Sequence, residues 1–138
     1  MKTKSIVVAS CLLLLSIITS CKKDNSTSPS GNSIQQGQWK ITSYIDSGNN
    51  ETNHFSGYSF EFKNGGVVTA TKSSSIVSGT WSTGTDDSQS KLYLTFSTAP
   101  FIELNDDWHI VQQTTTTLQL EDVSGGNGGT DYLTFSKN

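Results

Sequence analysis

The residues of this chain whose side chains could do chemistry are few and scattered. There are two histidines, His54 and His109, two cysteines, Cys11 and Cys21, and two pairs of adjacent acids, Asp86-Asp87 and Asp106-Asp107. A Cys-His nucleophile needs a thiol within reach of an imidazole, and a structural zinc needs four convergent ligands, usually thiolates and imidazoles. Both cysteines lie before residue 22 and the histidines are far apart, so neither arrangement is visible. The abundant serines have no nucleophile-elbow glycines around them. The acid pairs invite a metal or acid-base reading, but aspartate is favoured in turns because it hydrogen-bonds its own backbone, and both pairs are read as turn residues. His109 follows "DDW" on an alternating stretch and is expected on the polar side of a sheet. No catalytic residue, cofactor or metal ligand is assigned, and the chain is read as not an enzyme.

Cys21 has a different chemistry, set by what precedes it. Lys2 and Lys4 open the chain, an apolar run follows from Ile6 to Ile18, and "IITSC" closes it, which are the charged, apolar and small-residue parts of a secretory signal. The run is 13 residues, short of the roughly 20 that cross a hydrocarbon core as a helix. Ile18-Thr19-Ser20-Cys21 resembles the lipobox of bacterial lipoproteins. That resemblance implies removal of residues 1–20 and acylation of Cys21, which becomes the first residue of the processed chain. Cys11 leaves with the leader, so no disulfide remains. Two or more acyl chains hold a protein on a membrane where one is marginal, so the expected partner is a membrane through Cys21, by anchoring and not by spanning. The "CKKDN" that follows is similar to the charged stretches that sort lipoproteins to the outer membrane, and the expected location is the cell envelope.

Loss of Lys2 and Lys4 takes the formal net charge from −3 to about −5, and every basic residue is lysine. Without arginine the planar fork that grips phosphates and guanines is missing, and no nucleic-acid partner is expected. From Asp24 to Gln36 almost nothing apolar is available for burial, so residues 21–36 are read as acylated cysteine and flexible tether. The folded domain is expected over 37–138, enough for one small core.

What must position any functional residue in that domain is β-structure. Apolar residues alternate with polar ones: Trp39, Ile41 and Ile45 in "QWKITSYI"; Tyr58, Phe60 and Phe62 in "YSFEF"; Leu92, Leu94 and Phe96 in "KLYLTF". "VVTAT", "IVSGTW", "WHIV", "TLQL" and "DYLTF" complete eight strands. Asn64-Gly65 signals a tight hairpin in which both central residues take positive φ. Short connections make neighbours antiparallel, and eight strands in meander order close into an up-and-down barrel that leaves no open edge. The alternative is a β-sandwich.

"GQWKI", Gly37 to Ile41, is similar to the Gly-x-Trp opening of the lipocalin barrel, and "GTWS" with the closing "YLTFSK" resembles bacterial lipocalin-like lipoprotein domains. The resemblance implies that Gly37 and Trp39 plug one end of the barrel. Lipocalins pair that Trp with an arginine near the last strand and add a C-terminal helix; this chain has neither. "GGNGGTD", Gly125 to Asp131, resembles one unit of a calcium-binding repeat, but with one copy out of register it is read as a hairpin loop. An eight-stranded barrel holds its own side chains or one small ligand. The expectation is a small apolar ligand near Phe60, Trp81 and Trp108, at the end away from Trp39 and under polar, glycine-rich loops. The alternative is a ligandless module that holds or recognises another envelope protein.

Overall fold

The computed structural model describes residues 31–124 and 128–138. The leader, Cys21, most of the tether and Gly125 to Asn127 lie outside the described residues. The chain forms β1 (Trp39–Asp46), β2 (Asn49–Asn50), β3 (Ser59–Lys63), β4 (Val67–Lys72), β5 (Ser75–Asp86), β6 (Gln89–Phe96), β7 (Asp106–Gln113), β8 (Thr117–Val123) and β9 (Thr130–Lys137). Two 3₁₀ helices, Thr52–Phe55 and Phe101–Leu104, follow β2 and β6, and a helical turn, Gly31–Ile34, precedes β1. The long strands are antiparallel and pair in chain order from β3 to β9, and β9 pairs back to β1. The result is the expected closed barrel of eight strands, to which β2 adds a two-residue flap.

Alternation explains most of the interior. Phe60 and Phe62, Leu92, Leu94 and Phe96, Leu118 and Leu120, and Leu133 and Phe135 are all buried, as period-two strands with one core face require. On β1 the pattern breaks. The ladder to β9 shifts between Ile41 and Ser43, a bulge in which Thr42 is the extra residue. The extra residue moves every later side chain to the other face, so Tyr44 is buried and Ile45, the expected inward residue, is only half-buried. A similar shift between Ile110 and Gln112 leaves Val111 exposed.

Three connections differ from expectation. In the β3–β4 hairpin Lys63 pairs with Val67, leaving three loop residues, and the positive φ angles fall on Gly65 and Gly66, not on Asn64. β5 and β6 run to Asp86 and Gln89, so the turn is only Asp87-Ser88, with φ 46° and 65°. Asp106 and Asp107 are not turn residues: they open β7, paired to Leu94 and Tyr93.

Trp39 is fully buried at the start of β1. The Trp39 indole N–H donates to the Ile34 carbonyl at 2.8 Å, and Ile34, expected in the tether, is buried beneath it. A lone apolar residue in a polar stretch can still be recruited when its backbone caps a buried indole. From the last strand, Lys137 Nζ sits 5.3 Å from the centroid of the Trp39 ring, a cation–π contact.

Candidate functional site

The interior is crossed by an unbroken series of aromatic contacts. Trp81 meets Phe62 at 5.6 Å between centroids, Phe62 meets Phe135 at 5.6 Å, Phe135 meets Phe60 at 5.4 Å, and Phe60 meets Phe101 at 6.0 Å. From Phe101 the series continues to Phe55 at 5.7 Å, to Tyr44 at 5.6 Å, and to Trp108 at 6.5 Å. These are the offset and edge-on spacings that aromatic pairs favour. The three residues expected to line one pocket are therefore distributed along the barrel. Phe60 is the register partner of Trp39 and stands beside it, not at the end away from it. Trp81 lies at the β3–β4 hairpin, its indole donating to the Lys63 carbonyl at 3.0 Å. Trp108 alone is at the opposite end, donating to the Leu104 carbonyl at 2.9 Å. Among the described residues, every buried side-chain polar atom has a hydrogen-bond partner.

That opposite end is closed by the two 3₁₀ helices rather than by polar loops alone. They carry Phe55, Phe101 and Leu104, all buried. Tyr44 ties the second helix to β1, its hydroxyl donating to the Glu103 carbonyl at 2.6 Å. Burial, then the charges of Asp46, Glu103, Asp131 and Asp106, push that hydroxyl far above the usual tyrosine range. Outside, His54 joins the helices: Nδ1 lies 2.8 Å from Glu103 Oε2 and Nε2 3.2 Å from Glu51 Oε2. The hydrogen bond to Glu103 raises the His54 pKa above 6.5; desolvation opposes it, and the charges of Glu103 and Glu51 add to the rise. This clasp is not legible from residue spacing, because its carboxylates come from two separate connections.

The carboxylates of Asp106, Asp107 and Asp122 lie within 4.8 Å of one another on β7 and β8. Burial first, then the neighbouring acids, lift the Asp106 carboxyl above the usual range, although the Asp107 backbone N–H opposes the shift. Lys91 Nζ sits 3.6 Å from Asp107 Oδ2 and offsets part of the charge. The effect is to favour the protonated form of the Asp106 carboxyl. His109, on the outer face as expected, has Nδ1 3.1 Å from Glu121 Oε1 on the adjacent strand.

The wall itself has one thin seam. β1 and β3 share a single register pair, Trp39 with Phe60, while β1 and β9 share six. Beyond Trp39 the β1 edge is covered by β2 and the first 3₁₀ helix: Glu51 N–H donates to the Tyr44 carbonyl, and Tyr44 N–H to Thr52 Oγ1. A surface groove of about 320 Å³ opens between this covering and the start of β3. Its sides include Lys40, Asn53, Ser59 and Asn138, and its apolar part Ile41, Phe55 and Tyr58. A second, shallower depression of about 370 Å³ lies outside β4, β5 and β6 near Gly79.

The fold is a closed antiparallel barrel of eight strands, a shape that fits a lipocalin-like fold. No protein-family model matches the chain, and no curated protein matches it. Among solved structures it is similar to a DUF4847 family protein from Bacteroides vulgatus ATCC 8482, with 18% identity and a TM-score of 0.50. The match covers 76% of this chain and 94% of that one. At that identity the likeness establishes the fold. Among the described residues no helix is long and apolar enough to cross a membrane.

Proposed function

We propose that this chain is an envelope lipoprotein, anchored in the outer membrane through Cys21, whose barrel is a packed core and whose contacts with other envelope molecules are made from the outer wall. The observation that carries this reading is the unbroken series of ring contacts from Trp81 to Trp108, which occupies with side chains the space a carrier would keep for its guest. Barrels of eight strands are at the size where their own residues suffice to fill them. The interior also offers no polar atom in need of a ligand among the described residues. For Phe60, Trp81 and Trp108 to line an apolar pocket, Phe55 and Phe101 would have to leave the end they occupy. The anchoring half rests on the lipobox-like tetrad and on the polar stretch that follows it.

Titrating the processed chain with an apolar fluorescent probe and with envelope lipid extract tests the first half. No saturable change in tryptophan emission is expected, and a saturable change lost in Trp108→Phe would restore the carrier. For the second half, wild type is expected in the detergent phase and Cys21→Ala in the aqueous phase or unprocessed. Wild type recovered from the aqueous phase with an unmodified Cys21 would overturn the anchor.

A further inference from the structure

We propose that the groove at the β1–β3 seam is a binding site for a neutral, polyhydroxylated ligand, a sugar unit of the envelope glycans. The proposal rests on the reading above that the outer wall is the binding surface, and it names the ligand class. The groove follows from the fold: β1 turns from β3 to the β2 flap after one shared pair, and the wall is left concave there. At about 320 Å³ it falls at the small end of the range of roughly 300–1,000 Å³ typical of small-molecule sites.

The lining selects among ligands by elimination. None of its lining side chains is a carboxylate, so a cation finds no cluster of anionic side chains there. Lys40 lies on the rim, and the second nearby ammonium, Lys72, is already engaged by the Ser56 carbonyl, whereas a polyanion is ordinarily gripped by several free cations or by an arginine fork. An apolar guest would cover the Asn53 amide and the remaining polar atoms of the Asn138 amide without bonding them, which costs about 1–3 kcal/mol for each group left unpaired. A sugar answers both halves of the surface: its hydroxyls each donate and accept toward amides and hydroxyls, and its C–H face covers Ile41 and Tyr58.

The walls are also held in place. Ser59 Oγ donates to Gln38 Oε1 at 3.1 Å and accepts from Asn138 Nδ2 at 3.0 Å. On the far wall Lys72 Nζ donates to the Ser56 carbonyl at 2.8 Å and lies 5.3 Å from the centroid of the Tyr58 ring. A site organised before binding loses less entropy on association. The groove adjoins the barrel end from which the tether leaves. The ten residues from Cys21 to Gly31 can span at most about 35 Å, which sets the groove within reach of glycans at the membrane surface.

The test is an NMR titration of the full processed chain in detergent with glucose, galactose, N,N′-diacetylchitobiose and maltotriose. The delipidated core saccharide and the intact lipopolysaccharide of a Gram-negative envelope form two further arms. At least one neutral sugar is expected to give saturable shifts centred on Asn53, Ser59 and Asn138. Asn53→Ala and Lys40→Ala, both exposed and far from the core, test the contacts. Asn53→Ala should weaken binding about three- to tenfold, and Lys40→Ala should leave the affinity for neutral sugars within about twofold. Shifts with the free saccharide assign recognition to the sugar. Shifts only with the lipid-linked form, stronger binding of inorganic phosphate at these residues, or no saturable shift with any probe up to about 50 mM would each overturn the proposal. The apolar-probe titration reads tryptophan emission from the interior, so its failure and the failure of the groove are seen separately.

Discussion

Phe101→Ala asks whether the second 3₁₀ helix is a plug or a lid. Phe101 is 1% exposed and is in ring contact with Phe55, Tyr58, Phe60 and Phe96, at 5.7, 4.9, 6.0 and 5.4 Å. Truncating a buried Phe to Ala typically costs about 3–5 kcal/mol. Each aromatic pair contributes about 0.5–1.5 kcal/mol beyond its buried area, so the loss belongs at the upper end, about 4–5 kcal/mol. In a domain of this size each kcal/mol moves the melting temperature by about 4–8 °C, and a fall of about 16–40 °C is expected. The assay is urea denaturation at equilibrium, in which the midpoint should drop while the slope, which reports exposed surface, stays constant. Such a loss can consume the whole stability of a small domain. Phe101→Leu, expected to cost about 1–2 kcal/mol, keeps the measurement within range. A cost below about 1 kcal/mol for Phe101→Ala would mean that the ring rests on the barrel without filling it, and the packed-core reading would fall with it.

Two other perturbations probe the wall and the clasp. At Gly79 an added Cβ would lie 2.5 Å from both Phe96 Cδ1 and the Thr95 carbonyl oxygen, so Gly79→Ala should cost about 1–3 kcal/mol through overpacking. Gly84→Ala on the same strand meets only the Tyr93 ring edge at 3.1 Å and should stay within about 0.5 kcal/mol, in the same urea experiment. At His54 the folded-state pKa is raised, so folding takes up protons; the associated stabilisation is full below the reference value of 6.5 and is lost as pH rises through the folded value. The His54 imidazole should titrate by NMR above 6.5 in wild type and shift back toward it in Glu103→Gln. An unchanged midpoint would show that Glu103 does not hold the ring.

Strand alternation was enough to find all eight barrel strands, because a half-buried antiparallel strand writes its two faces directly into the sequence. The same signal misplaced Ile45 and Tyr44, since a bulge is a backbone event and "KITSY" reads alike with or without it. The barrel end was misread for a related reason. Four-residue helices such as "TNHF" and "FIEL" are too short to show a period, yet each places a large apolar residue inside a connection. Phe55 among polar neighbours and Phe101 directly after Pro100 were the available signals that these connections turn inward. Lys137 could not be recognised over Trp39 until β9 was known to pair with β1. The groove was illegible altogether, because it arises from ladder pairs that β1 and β3 do not make.

The six pairs that bind β1 to β9 also bear on when the barrel can exist. Thr42 and Ser136, joined side chain to side chain across that ladder, are 94 residues apart, while the short β2 offers β1 two pairs and β3 only one. At a synthesis rate of about 5–20 residues per second, the first strand waits roughly 5–20 s for its principal partner to be made. Until then the chain is an open ribbon with one side of β1 unpaired. For a polypeptide following the export route proposed here, that delay is an advantage: the sheet cannot lock into a ring on the ribosome, and the thread stays slender enough to cross a membrane before its two ends meet.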